Sequence, residues 1–140
     1  MMILYLAPIK SMLNNYLINC RSVTIDGECN IDNFTPHTIH VYSPDGEKQL
    51  FSIVSSGVAR ASEVHENVDV LFIGDISIPV DRVTYGSVDG LPPEKDGVYH
   101  IVSLITALQC ANKRNDLLIV SGTVRDDQGR IIGCTGFARV

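Results

Sequence analysis

Alternating apolar and polar positions indicate two pairs of β-strands along the chain. Residues 38–42 and 49–53 alternate or carry β-forming side chains, and Ser43-Pro-Asp-Gly46 between them is typical of a hairpin turn. Leu117 to Arg125 and Arg130 to Phe137 repeat this arrangement across Asp126-Asp-Gln-Gly129. The pattern therefore predicts two antiparallel hairpins.

Further strand-like segments lie between these hairpins. They carry β-branched or aromatic residues and are separated by turns that contain Gly and Asp. The predicted strands cover residues 57–61, 69–73, 78–85 and 98–102. With the two hairpins, they predict a sheet that is mainly antiparallel.

One main helix is expected after the strand at residues 98–102. Ser103 is a suitable N-cap, and Leu104, Leu108 and Ala111 recur at helical spacing behind it. Residues 112–115 would end the helix and place two cations in its last turn, where the helix dipole favours them. We therefore expect an α+β fold, mainly an antiparallel β-sheet with one main helix and a short N-terminal anchor segment.

The division of the chain follows from its size and its apolar N-terminus. With 140 residues and 45% hydrophobic content, it can bury one substantial core, so we expect residues 1–30 to form the anchor segment and residues 31–140 a single α+β ligand-binding domain. A short helix around residues 11–18 would be marginal alone and would pack on its own core or on a neighbouring subunit. The N-terminal apolar run is too short to span a bilayer and has no basic residue ahead of it, so we expect a cytoplasmic protein without membrane contact.

The charge balance restricts the classes of ligand. A net charge of −5 and a pI near 5.2 argue against DNA or RNA binding, which needs many Lys or Arg residues on one face. Residues 26–96 hold 13 acids and 4 bases, whereas residues 113–140 hold 5 bases and 3 acids. A local site for a small anion therefore stays open.

Phosphate recognition would fall to side chains, because no glycine-rich phosphate loop of the dinucleotide or Walker type occurs in the sequence. Arginine suits this role, since its planar fork donates two hydrogen bonds to one phosphate and its face stacks on a base. Each candidate arginine could equally be a solvated charge at a strand end. The candidates are Arg60, Arg82, Arg114, Arg125 and Arg130. Arg114 and Arg125 flank one strand at a separation of up to about 33 Å, so a site that used both would need a subunit boundary or a bent strand.

Aromatic, histidine and cysteine residues complete the candidate chemistry. Tyr85 precedes Gly86, so stacking on a base and a surface position are equally open, whereas Tyr99 in its apolar run favours the core. His37 and His40 would point to opposite faces of a strand, and the four cysteines are scattered, so we expect no metal site and no cofactor. No nucleophile lies at motif spacing from a histidine, and we expect no enzyme.

Five ordered segments resemble the first class of Thoeris anti-defence proteins, a family of small phage and prophage proteins. The resemblance covers about residues 30–138. Its segments are Asn33-Phe-Thr-Pro-His37-Thr-Ile, Ser55-Ser-Gly-Val-Ala-Arg60, Gly86-Ser-Val-Asp-Gly90-Leu-Pro, Tyr99-His-Ile-Val-Ser103 and Val124-Arg-Asp-Asp-Gln-Gly-Arg130-Ile-Ile-Gly-Cys134.

The resemblance implies a protein that binds and sequesters cyclic ADP-ribose isomers, made as immune signals, without cleaving them. Some members also bind cyclic di- or trinucleotides at a separate site. It further implies a homo-oligomer, either a dimer or a hexamer built as a trimer of dimers, in the cytoplasm of an infected host cell.

The ligand-binding residues that the resemblance implies are Arg60, Tyr85, Lys95, Asn112, Arg114, Asp116 and Arg125. Tyr85 would stack on adenine, the arginines would neutralise the pyrophosphate, and Asp116 or Asn112 would accept hydrogen bonds from ribose hydroxyls. The N-terminal 30 residues depart from the family pattern, and Tyr85 stands where Phe is expected. Two other hypotheses stay open: a virion or assembly protein without a small-molecule site, and a small phosphodiesterase that uses His37, His40 or His100 as acid or base.

Overall fold

Strands dominate the part of the chain that the computed structural model describes, residues 19–20, 22–25 and 29–140, with side chains from Asn30 onward. One helix, α1, spans Leu104–Gln109. The ten strands are β1 (Asn19–Cys20), β2 (Ser22–Ile25), β3 (Cys29–Asn33), β4 (Ile39–Tyr42), β5 (Gln49–Ile53), β6 (Arg60–Ile73), β7 (Ile76–Asp89), β8 (Val98–Ile101), β9 (Leu117–Arg125) and β10 (Ile131–Ala138). The predicted anchor lies largely outside the described residues.

Eight of these strands form one mixed sheet in the order β1-β5-β4-β10-β9-β8-β3-β2. The hairpins β4–β5 and β9–β10 are antiparallel, as their turn sequences predict. Parallel pairs join β1 to β5, β4 to β10, β3 to β8 and β8 to β9. The last pair is parallel because α1 carries the chain back from the end of β8 to the start of β9. The described part of the chain is thus mostly β-sheet with one short helix and contains the expected antiparallel pairs.

The two edges of this sheet meet. β1 and β2 lie at opposite ends of the strand order, yet only residue 21 separates them, and two Cα–Cα steps span at most about 7 Å. A parallel bridge between Asn33 and Ser55 joins the end of β3 to the segment that follows β5. The sheet therefore curls into a barrel-like closure with a seam between β3 and β5.

Asn33 holds this seam with its side chain. It is fully buried, and its Nδ2 donates to the backbone carbonyls of Ile53 at 3.0 Å and His37 at 2.6 Å. Its Oδ1 accepts from the backbone N–H and the hydroxyl of Thr35, at 2.9 and 2.7 Å. The amide therefore bonds to four polar groups of three residues, one in β5 and two in the segment after β3, and its own donors and acceptor are satisfied as burial requires.

The apolar interior falls into two clusters. One fills the barrel and contains buried residues of β3, β4, β5, β8 and β10. The other lies between α1, the sheet and the segments before β6 and after β7, and it includes Ala59, Val102, Ala107 and Leu117. The second cluster attaches the outer elements to the barrel.

Helix α1 begins at the predicted N-cap, but the face that carries Leu104 and Leu108 is not the one that packs on the rest of the fold. The hydroxyl of Ser103 accepts from the backbone N–H of Thr106, which confirms the N-cap. Leu104 and Leu108, whose helical spacing is typical of a core-facing stripe, are each 52% exposed, whereas Thr106 and Ala107 are buried. These smaller side chains let the helix approach the main chain closely enough for a contact of 3.4 Å from the Thr106 hydroxyl to the Ala59 carbonyl. The helix ends at Gln109, so Lys113 and Arg114 follow it rather than occupy its last turn.

Strands β6 and β7 form an antiparallel arm, which we define as Arg60–Ile73 paired with Ile76–Asp89. The prediction of three separate strands in this region is wrong, because polar residues within 60–69 continue one 14-residue strand. The arm turns at Gly74, whose φ of 61° suits a tight hairpin loop. At about 3.3 Å per residue, the arm is about 45 Å long, and nearly all of its side chains are exposed.

Replacing Asn33 tests the seam. The substitution Asn33→Ala leaves the Ile53 and His37 carbonyls without their buried donor, so we expect the free energy of unfolding to fall by about 3 kcal/mol. Urea unfolding followed by circular dichroism measures this change. The exposed Asn115→Ala serves as the control and should change stability by less than about 0.5 kcal/mol. A loss no larger than that of the control would refute the role of Asn33.

Candidate functional site

The residues predicted to bind a ligand lie at three places in the fold. Arg60 and Tyr85 lie at the base of the arm. Lys95, Asn112, Arg114 and Asp116 lie in the loop before β8 and in the segment between α1 and β9. Arg125 ends β9 at the opposite end of that strand from Asp116. Within one chain the structure therefore brings four of the residues together. Arg60 and Tyr85 lie on the adjoining arm base, and Arg125 lies apart from both groups.

The two residues on the arm point to opposite sides. Arg60 and Glu63 are three residues apart on β6, so their side chains face opposite surfaces of the arm. Tyr85 is the cross-strand partner of Glu63, and cross-strand partners share a face. The register shift at this point adds its extra residue to β7 and leaves the alternation of β6 intact. One copy thus presents the Tyr85 ring, which is 39% exposed, on one face and the exposed Arg60 on the other.

The arm base adjoins the loop that carries Lys95. Arg60 pairs with Asp89, and the next residue, Gly90, has a φ of 96° and lies against the main chain of Val58 and Ala59. A Cβ at Gly90 would fall 2.3 Å from the Val58 carbonyl oxygen, so only glycine fits there. This close approach fixes where the loop leaves the arm.

Arg114 and Asp116 form a two-pronged ion pair. Arg114 Nε donates to Asp116 Oδ1 at 2.9 Å, and its terminal nitrogen donates to Oδ2 at 2.5 Å. Burial favours a raised pKa for Asp116, but hydrogen bonds from Arg114 and its positive charge outweigh burial and hold that pKa below its ordinary value. The same hydrogen bonds raise the pKa of Arg114. Asp116 is only 4% exposed, so its carboxylate faces its own chain rather than an open surface.

Two further groups lie beside this ion pair. The backbone N–H of Asn115 contacts the Glu94 carboxylate at 3.4 Å, which brings the loop with Lys95 close to the end of α1. Asn112 adopts the left-handed conformation, with a φ of 67°, and its side chain is exposed. Lys95 is exposed as well. An exposed amide and an exposed cation thus flank Arg114.

Arg125 is separate from these groups. It lies at the turn between β9 and β10, where a guanidinium nitrogen donates to the carbonyl of Gly129 at 2.8 Å. About eight residue steps along β9 separate it from Leu117, beside the ion pair. Arg114 and Arg125 therefore lie near opposite ends of β9, as their separation along the sequence predicts.

Beneath the ion pair lies a buried histidine that no sequence motif indicates. His100 is 2% exposed, and neither of its ring nitrogens has a hydrogen-bond partner among the described residues. Nδ1 lies 3.9 Å from Asp32 and Nε2 lies 3.7 Å from Asp116, while the Phe34 ring meets the imidazole edge to face. Desolvation lowers the pKa of His100 below 6.5 and outweighs the attraction of Asp116 and Asp32 for its proton. The ring is therefore neutral at pH 7.

A cleft of about 930 Å³ opens on another side of the barrel, and the sequence gives no signal for it. Strands β4, β9 and β10 and the start of α1 form its walls. Its lining combines aliphatic side chains with hydroxyls and the imidazoles of His37 and His40, and it includes no Asp, Glu, Lys or Arg. Both histidines line the same cleft, because His37 precedes β4 and does not follow the alternation of the strand.

The hydrogen bonds around His40 fix its tautomer. Gln49 Nε2 donates to the Ser52 hydroxyl at 2.9 Å, and that hydroxyl lies 2.6 Å from His40 Nδ1. Gln49 Nε2, which can only donate, also lies 3.2 Å from His40 Nδ1, so these contacts are all satisfied when Nδ1 is the acceptor. The neutral ring therefore carries its proton on Nε2, the nitrogen left to donate to other groups in the cleft.

Neither metal ligands nor a membrane-spanning segment stands out in the described part of the chain. No group of three His, Cys, Asp or Glu residues is placed to hold a metal ion among the residues described. No described helix is long and apolar enough to cross a membrane. Comparison with protein-family models, curated proteins and solved structures found no match.

The buried histidine predicts a dependence of stability on pH. His100 is neutral in the folded chain but gains a proton near pH 6.5 when unfolded, so the unfolded state binds more protons as the pH falls through 6.5. We expect the free energy of unfolding to fall below pH 6.5, by up to about 1.4 kcal/mol per pH unit from this group. Asp116 contributes in a separate pH range. Because its pKa is lowered, its charge stabilises the folded chain above about pH 3.8, and this contribution is lost only as the pH falls further.

Urea unfolding between pH 7 and pH 5 measures this slope. The substitution His100→Phe removes the titrating group and should flatten the dependence. The substitution His37→Gln, at an exposed ring, is the matched control and should retain it. Equal slopes for the native chain and His100→Phe would contradict the assignment.

Proposed function

We propose that this protein binds and sequesters a cyclic adenine-containing nucleotide, of the ADP-ribose type, without cleaving it. The observation that carries the proposal is the placement of exposed Arg60, Tyr85, Lys95 and Asn112 around the arm base and the end of α1. Together these exposed side chains offer cations for a phosphate, a ring for a base and an amide for ribose hydroxyls. It suits a compact anion in a chain whose net charge is −5.

The site is shared between copies of the chain. Arg60 and Tyr85 face opposite sides of one arm, so a single ligand contacts both only when two arms, or an arm and another copy's helix end, enclose it. Arg125 joins such a site from the second copy, since its own strand separates it from Arg114. The functional unit is a homo-oligomer, a dimer or a hexamer built as a trimer of dimers, in the cytoplasm of an infected cell.

Each residue then has a role set by its chemistry. Tyr85 stacks on adenine, and Arg60 with Lys95 neutralises the pyrophosphate. Asn112 bonds ribose hydroxyls. Arg114 contributes through the N–H groups that its pair with Asp116 leaves over, and Asp116 acts by orienting Arg114.

One structural feature favours a second candidate function. The arm exposes many large apolar side chains, as expected of a virion or assembly protein that lacks a small-molecule site. In that case calorimetry against cyclic nucleotides gives no heat of binding, and Arg60→Ala leaves every measured property unchanged.

Titration calorimetry with cyclic ADP-ribose isomers tests the first function. We expect Arg60→Ala and Tyr85→Ala each to weaken binding, by about 2 to 4 kcal/mol for the arginine because it leaves a desolvated phosphate unpaired. The effect for the tyrosine should be about 1 to 3 kcal/mol, the value of a stacked base. The control is Lys48→Ala, at an exposed cation between β4 and β5 that has no part in the proposed site, which should bind as the native chain does.

The fate of the ligand separates sequestration from catalysis. Heating the complex and analysing the released small molecule by mass spectrometry should return the ligand unaltered. Recovery of a hydrolysed product would contradict the proposal and favour a phosphodiesterase that uses His37, His40 or His100.

A further inference from the structure

The end of the arm is unusually apolar for a solvent-exposed element. We define the arm tip as residues 70–73 and 76–79, the last four residue pairs before the turn. Phe72, Ile73 and Ile76 are 73%, 64% and 64% exposed, and Leu71 is half exposed. The only charged residue between positions 70 and 80 is Asp75, in the turn itself. The described part of the chain does not cover the arm tip.

A two-stranded ribbon of this length needs another element to pack against its apolar side chains. An isolated hairpin is at best marginally stable in water, and it becomes stable when its apolar face packs on another element. Helix α1 contacts β6 and β7, and Val88 at the arm base packs against the second apolar cluster, whereas the tip residues are exposed in the described part of the chain. The outer edges of both strands also leave backbone N–H and C=O groups unpaired, which favours association with another chain.

The cleft beside β4, β9 and β10 has the complementary character. Its rim includes Leu104, Val120 and Ile131, which are 52%, 42% and 60% exposed, and its lining includes no Asp, Glu, Lys or Arg. Its hydroxyls and the Nε2–H of His40 can bond to the unpaired carbonyls of a strand edge. The cleft therefore suits an uncharged, apolar strand edge.

We propose that the arm tip of one copy of this chain docks in the cleft of a second copy. Charge selects the tip within the arm, because the strand residues nearer the base include Glu63, Glu66, Asp69 and Asp81, whose charges would be desolvated in an uncharged cleft. The exchange is reciprocal in a two-fold dimer, so each dimer contains two such contacts. This interface involves surfaces distinct from the proposed nucleotide site and does not depend on the ligand.

A pair of complementary charges tests the contact. Ile73→Glu places an acid on the arm tip, and Ile131→Lys places a base on the cleft rim; both positions are exposed, so the fold tolerates them. Each variant alone should dissociate at least tenfold more readily than the native chain in sedimentation equilibrium, because every contact then buries a lone charge. An equimolar mixture should regain dimers, since one arm–cleft contact is then native and the other pairs the two new charges. Val64→Glu, similarly exposed but four residues from the start of β6, is the matched control and should dimerise normally.

The remaining outcomes overturn the proposal. A native chain that stays monomeric at the highest soluble concentration excludes the interface. Loss of dimers with Ile73→Glu but not with Ile131→Lys would indicate contacts between two arm tips, and the reverse would indicate contacts between two clefts. If both variants dissociate and the mixture does not recover, the arm tip and the cleft belong to separate contacts and do not meet each other. Circular dichroism of each variant confirms that it is folded.

Discussion

The side-chain amide of Asn33 is the contact on which the fold depends. It bonds the carbonyls of Ile53 and His37 across the seam where the curled sheet closes on itself. The chain continues from that seam through the backbone bonds of Phe34 to Ile101 and of Ala59 to Phe34, which set the end of β8 and the start of the arm. Because Arg60 follows Ala59, and Ser103 with α1 follows the end of β8, the seam positions the start of the arm and the start of the helix.

Local chemistry explains which elements could be predicted from the sequence. The β4–β5 and β9–β10 hairpins follow from their turns, and the N-cap of α1 follows from one serine, because each depends on residues close in sequence. The parallel pair β3–β8 joins residues about 70 positions apart, and no local pattern specifies it. The orientation of α1 depends on the fit of Thr106 and Ala107 against the Ala59 segment, which is likewise non-local.

The candidate site was predictable to a similar degree. The residue types point to an anion, but the geometry decides which of them are available. Arg114 is bound to Asp116, and Arg125 is bound to Gly129, whereas Arg60 forms no ion pair with the residues described. Residues three positions apart on a strand face opposite sides, so the long strand β6 separates Arg60 from Tyr85. The sequence could not show this, because the region reads as several short strands.

The arm connects these features. Its two ends differ in what they require of a neighbour. The polar residues toward the base can remain hydrated. The apolar tip is stabilised only when another surface excludes water from it. The barrel cannot supply that surface to its own arm, whose tip residues remain exposed although an uncharged cleft exists on the same chain. The ribbon, about 45 Å long, carries the tip away from the arm base. The same long strand β6 that carries the apolar tip places Arg60 and Tyr85 on opposite faces of the arm, so one chain leaves both the tip uncovered among the described residues and the two candidate ligand-binding side chains apart.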